Sequence, residues 1–95
     1  MSTSQTTFYV VAYDISSNRR RTKIHKILSG FGQWTQFSLF ECYLTEKEHL
    51  TLQAKMEKVV EEKDRIRLYP LCKNCLQKIE TTGMALPSEA QVYIV

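Results

Sequence analysis

A single carboxylate, Asp14, closes a short apolar run, Phe8-Tyr9-Val10-Val11-Ala12-Tyr13, and the bases Arg19, Arg20, Arg21, Lys23 and Lys26 follow it. Magnesium takes hard oxygen ligands and phosphates need cationic neighbours, so an acid at a strand end beside a positive field suits a phosphodiester. No Asp or Glu occurs between Ile15 and Phe40, so that stretch carries +5 while the whole chain carries +3 and the remainder −2. Charge concentrated in this way reads as a nucleic-acid-binding face; an ordinary solvated helix face is the alternative.

One acid is a sparse metal site, because magnesium normally uses one or two carboxylates and fills its octahedron with water and phosphate oxygens. A two-fold dimer that brings Asp14 of both copies to the axis would supply two. Asp14 as an Asx-turn or helix cap is the competing reading. Arg19, Arg20 and Arg21 are placed to neutralise phosphates or developing charge, and Arg65 and Arg67 extend that field. Cys72-Lys73-Asn74-Cys75 has the CxxC spacing of zinc sites and thiol exchange, but no second CxxC or paired histidines accompany it; structural packing is expected, with intersubunit zinc or a redox pair as the alternative. His25 and His49 sit in helical patterns and read as surface residues. Trp34, Tyr9 and Tyr13 either stack on bases or pack in strands.

These residues need elements to position them. Ile15-Ser16-Ser17-Asn18 offers helix caps, and Ile24, Ile27, Leu28 and Phe31 recur at helical spacing, which predicts a basic helix stopped by Gly30 and Gly32. From Gln33 to Leu44 the alternation changes phase, Phe37 and Leu39 giving way to Phe40, Cys42 and Leu44, so a bulge or strand break is expected between Ser38 and Phe40. Thr45 with Glu48 forms a capping box, and the stripe Leu52, Met56, Val59 and Val60 predicts a second helix. Arg65 to Tyr69 alternates as a strand that Pro70 closes or holds at an edge. A helical turn from Lys73 to Lys78, a brief strand from Ile79 to Thr82, a loop from Gly83 and a terminal strand Val92-Tyr93-Ile94-Val95 complete the prediction. That last strand either joins its own sheet or adds to the edge of a partner's.

The 95 residues, 43% hydrophobic and 24% charged, fit one small α+β domain over 1–95, with a core of about 8–82 and the segment 83–95 expected at a dimer interface. Both helices should lie on one face of an antiparallel sheet, the ferredoxin-like βαββαβ arrangement with an extra C-terminal strand. The N-terminus lacks the pattern of a secretory signal, no apolar run reaches membrane-spanning length, and three cysteines suit reduced thiols, so a cytoplasmic protein is expected.

Four stretches taken together resemble a known family. They are Tyr9-Val10-Val11-Ala12-Tyr13-Asp14-Ile15, the basic helix from Arg19, Gln36-Phe37-Ser38-Leu39-Phe40-Glu41-Cys42, and Arg67-Leu68-Tyr69-Pro70-Leu71-Cys72 with Cys75. In order and spacing, from Phe8 to about Ile79, they are similar to the CRISPR-associated protein two family, the small subunit of the spacer-acquisition machinery. The resemblance implies a ferredoxin-like fold, a homodimer with the C-terminal strand crossing the interface, and a magnesium-dependent endonuclease site, manganese being the other candidate ion. Asp14 matches the family's metal ligand, and Tyr13, Arg21 and Phe40 match other positions associated with activity. Lys23 stands where some members have Arg, keeping the charge without the planar fork, and Trp34 replaces a base. Two functions follow: hydrolysis of single-stranded RNA or double-stranded DNA, or a non-catalytic adaptor that bridges copies of the CRISPR integrase and clamps duplex phosphates.

Overall fold

The computed structural model describes residues 5–83. Strand β1 (Thr7–Asp14) leads to helix α1 (Asn18–Ser29), the hairpin β2 (Gln33–Gln36) and β3 (Leu39–Leu44), helix α2 (Glu46–Glu57), strand β4 (Arg65–Leu71) and the short helix α3 (Lys73–Gln77). The sheet order is β2-β3-β1-β4, with every neighbouring pair antiparallel. This is the expected ferredoxin-like topology, and β1 lies in its interior.

Local chemistry sets the boundaries. Ser17 caps α1 by accepting from the Arg20 amide at 3.2 Å. Thr45 and Glu48 close the capping box of α2, with the Glu48 carboxylate accepting from the Thr45 amide at 2.9 Å. Gly30 ends α1 in a right-handed conformation, so its role there is not a left-handed cap. Gly32 serves differently: a Cβ at this position would collide with the Cys42 sulfur and the Glu41 carbonyl oxygen, so the chain can pass this close to β3 only without a side chain. The expected phase change is a tight turn at Phe37-Ser38, with Phe37 at φ 44°, preceded by a register shift between Trp34 and Gln36. Trp34 Nε1 donates to the Phe37 carbonyl at 2.8 Å and holds that turn.

The main core lies on one side of the sheet, and Phe8 is buried on the other, its ring against that of Tyr43. Val11, Tyr13 and Ile15 from β1 and its exit, and Phe40, Cys42 and Leu44 from β3, pack against Ile24 and Leu28 of α1 and Leu52 and Met56 of α2. Burying each large apolar side chain contributes roughly 1.5–3 kcal/mol.

Two expectations are corrected. α2 ends at Glu57, so Val59 and Val60 pack on the core from the following turn and not from the helix. Ile79 to Thr82 is not a strand: these residues are exposed, and among the described residues no ladder partner reaches them. Pro70 lies within β4 opposite Tyr9, which an edge strand tolerates. The loop from Gly83 and the terminal strand fall largely in 84–95, outside the described residues.

Candidate active site

Residues directly opposite each other on neighbouring strands share a face, and successive residues on one strand alternate between faces. Tyr13 and Asp14 are therefore sequence neighbours that point to opposite sides of β1. Tyr13 faces the helices and is buried, whereas Asp14 is exposed on the face that α1 and α2 leave uncovered. Asp14 stands opposite Arg65, Ala12 opposite Arg67 and Leu39, and Val10 opposite Tyr69. Glu41 stands opposite Val10 and Tyr43 opposite Phe8, so the open face gathers two acids, two arginines and two exposed tyrosines around a half-buried apolar strip. Arg67 lies over the Tyr69 ring, 5.5 Å from its centroid, and Arg65 Nη1 lies 3.3 Å from the Asp64 carbonyl and 3.4 Å from that of Glu62.

The basic helix divides its side chains between two jobs. Arg19, Lys23 and Lys26 are exposed. Arg20 is engaged within the fold: Nε and Nη2 donate to Asp64 at 2.7 and 3.1 Å, and Nη1 lies 3.2 Å from Glu61. This internal pairing engages a guanidinium expected at the nucleic-acid face. The reason is electrostatic: the first turn of α1 has no acid and three arginines, which its dipole disfavours, and Asp64 supplies the missing negative charge from the loop before β4. The Arg20 guanidinium and then the Glu61 amide hold the Asp64 carboxyl below its ordinary value of 3.8. Arg21 turns back onto the chain, donating to the Ile15 carbonyl and to Asn18 Oδ1.

Tyr13 and Phe40, expected as activity-associated positions, lie in the helix-side core. Phe40 is wholly buried, its ring 6.4 Å from that of Tyr13 and 5.0 Å from His25, so it supports neighbours and cannot touch a phosphate. The Tyr13 hydroxyl is 3.4 Å from His25 Nδ1. Burial raises the Tyr13 phenol above its usual range, partly offset by the Arg21 charge and by Ser38, so it stays protonated at neutral pH. The histidines have partners that periodicity did not reveal, since His49 stacks on Tyr9 with ring centroids 4.9 Å apart. Cys72 and Cys75 are exposed, which corrects the expectation that they pack.

Asp14 is the fully exposed acid of this face among the described residues, Glu41 being half-buried. Among those residues no group of three His, Cys, Asp or Glu side chains gathers there, so one copy offers a partial coordination shell. That donor set fits an ion completed by a second carboxylate, water and phosphate oxygens. Arg65 and Arg67 are the site residues that reading along the chain underweights, since Asp14 is remote from them in sequence. The alternation Arg65-Ile66-Arg67-Leu68-Tyr69, laid antiparallel on β1, is the signal that finds them.

The fold and this face define a small ferredoxin-like protein with one helical layer and an acid-bearing, arginine-flanked open sheet. The model of the family described as CRISPR associated protein Cas2 matches residues 7–79, and the chain belongs to that family. It is 41% identical over 92 residues to a CRISPR-associated endoribonuclease Cas2 1 of Chloroflexus aurantiacus, covering 93% of this chain and 99% of that protein. Among solved structures it is similar to hypothetical protein TT1823 from Thermus thermophilus, with TM-score 0.77 and 32% identity over 85% of this chain and 95% of that one. It is also similar to a chain of a partial Cas6-RT-Cas1–Cas2 complex, with TM-score 0.70 and 25% identity over 79% of this chain and 89% of that one.

Proposed function

We propose that this chain is the metal-dependent endonuclease subunit of a CRISPR spacer-acquisition system, a cytoplasmic homodimer that works on RNA or DNA beside an integrase subunit. One observation carries the reading: Asp14 projects from the uncovered sheet face, at the end of an interior strand and opposite Arg65. Two such faces meeting about a two-fold axis would cover the strip of Val10, Ala12 and Leu39 and bring two Asp14 carboxylates together. Asp14 would hold magnesium or manganese, and such an ion supplies charge neutralisation at phosphate and a more acidic water when bound. Arg65 and Arg67 would fix phosphate oxygens, and Tyr69 offers a ring on which an unpaired base can stack. The name of the Chloroflexus relative supports nuclease activity, and the complex containing a similar chain supports an integrase partner.

That same complex favours a second reading, an adaptor whose bases clamp duplex phosphates without cleavage. Asp14→Asn separates the two. Under the nuclease reading it abolishes magnesium-dependent cleavage of a single-stranded RNA or duplex DNA, while light scattering still shows a dimer and binding is largely kept. Cleavage unchanged by this substitution removes Asp14 from the mechanism. Absence of cleavage in the wild type, with binding intact, leaves the adaptor.

A further inference from the structure

The three cysteines occupy two different environments. Cys42 lies on the helix side of β3, fully buried, and burial together with the Glu41 charge pushes its thiol up to about 11. It is chemically quiet at neutral pH. Cys72 and Cys75 are exposed, and they stand where β4 passes into α3: Cys72 is the residue before the helix and Cys75 the third residue within it. Across that turn the two thiols lie within hydrogen-bond reach of each other, and the N-cap and third helical positions put both side chains at the same end of α3. The turn between them is closed by the Leu76 amide donating to the Cys72 carbonyl at 2.8 Å, and the next by the Lys78 amide donating to the Cys75 carbonyl at 3.0 Å.

The two thiols are also unequal. The Cys72 side chain makes no cap hydrogen bond to the helix, but the nearby Cys75 amide and then its thiol lower the Cys72 pKa. The same contact raises Cys75. A neighbouring thiol that prefers to stay protonated beside one that ionises readily is the arrangement of a resolving and an attacking cysteine. Both side chains are exposed among the described residues. A tetrahedral zinc site needs four ligands, and among the described residues no third His, Cys, Asp or Glu joins these two.

We propose that Cys72 and Cys75 form a reversible dithiol–disulfide pair, a redox modification site that reacts with low-molecular-weight disulfides. The Cys72 thiolate attacks one sulfur of the reagent, the reagent's S–S bond breaks, and one thiolate leaves with the electron pair. Cys75 then gives up its proton to solvent and attacks the Cys72 sulfur, the mixed disulfide breaks, and the second thiolate leaves. The protein pair loses two electrons and two protons, and the reagent is reduced to two thiols. The bridge fastens the first turn of α3, whose Leu76 lines, with Ile79, Phe8 and Tyr43, a groove of about 970 Å³ on the open side of the sheet.

The test uses the full chain equilibrated in buffers of reduced and oxidised glutathione, quenched in acid, alkylated and mapped by mass spectrometry. The expected product escapes alkylation at Cys72 and Cys75 and is about 2 Da lighter than the unalkylated dithiol, the two lost hydrogens of a disulfide, with the change confined to the peptide holding both and reversed by dithiothreitol. Brief iodoacetamide treatment at neutral pH should label Cys72 several-fold faster than Cys75. Cys75→Ser should trap Cys72 as the glutathione mixed disulfide, and Cys72→Ser should show neither bridge nor fast labelling. Both thiols remaining alkylatable in the most oxidising buffer would overturn the proposal. So would equal labelling rates, a disulfide formed only between chains, or a stoichiometric zinc ion that blocks both cysteines.

Discussion

Arg20 in α1 and Asp64 before β4, 44 residues apart in sequence, meet side-on through two hydrogen bonds, with the Asp64 side chain fully enclosed. This pair ties the start of the basic helix to the strand that carries Arg65 and Arg67. Removing one member of a buried pair leaves the other charge without compensation. Arg20→Ala should therefore lower the melting temperature well beyond the change caused by Arg19→Ala, whose side chain is exposed.

The same pair predicts a pH dependence. Because the folded Asp64 carboxyl titrates below its ordinary value of 3.8, its stabilising contribution is complete above that value and is lost as pH falls through the lower, folded one. Melting curves of wild type and Asp64→Asn should differ by a constant amount from neutrality down to about pH 5 and converge in stronger acid. A gap that instead opened towards low pH would contradict the assignment.

Nucleic-acid affinity should depend on the free bases and not on Arg20. Replacing Arg19, Lys23 and Lys26 with Ala should flatten the dependence of log K on log salt, by up to about 0.9 for each duplex phosphate that is no longer neutralised. Alanine at Arg65 and Arg67 should reduce cleavage as well as binding. At a temperature where it remains folded, Arg20→Ala should keep the wild-type slope.

Gly32 is expected to tolerate no side chain. The Cβ of Gly32→Ala would collide with the Glu41 carbonyl oxygen and the Cys42 sulfur, one of which is backbone and cannot rotate away. A cost near the upper end of overpacking, about 3 kcal/mol, should appear in urea unfolding. Gly30→Ala, which would meet only an ordinary contact with the Ile27 carbonyl, serves as the control.

Phe40→Ala should destabilise the fold by about 3–5 kcal/mol through the cavity it leaves. Because Phe40 supports Tyr13 and His25 from within the core, any loss of cleavage should follow the folded fraction as temperature is varied. An inactive variant that is fully folded would give Phe40 a more direct part.

Much of the fold was legible because its signals are local. The capping box at Thr45 and Glu48, the stripe of Ile24 and Leu28, and the phase change after Phe37 each occupy a few consecutive residues, and the structure contains all three. What escaped was long-range or depended on facing. Arg20 looked like one base among five until Asp64 arrived from a distant loop. Tyr13 and Asp14 looked like one site, although the pleat sends them to opposite sides. Ile79 to Thr82 has residues suited to a strand, yet strand formation needs a ladder partner, and composition cannot say whether one is in reach.

The placement of the main core on one face of this sheet has a consequence for how freely its chemistry can vary. Positions 65, 67 and 69 present their side chains away from the packed helices, while 66 and 68 hold the strand to them. Randomising the first set should leave most members of a library folded, so substrate preference can be reshaped there by selection with little structural penalty. The same experiment at 66 and 68 should yield mainly insoluble chains.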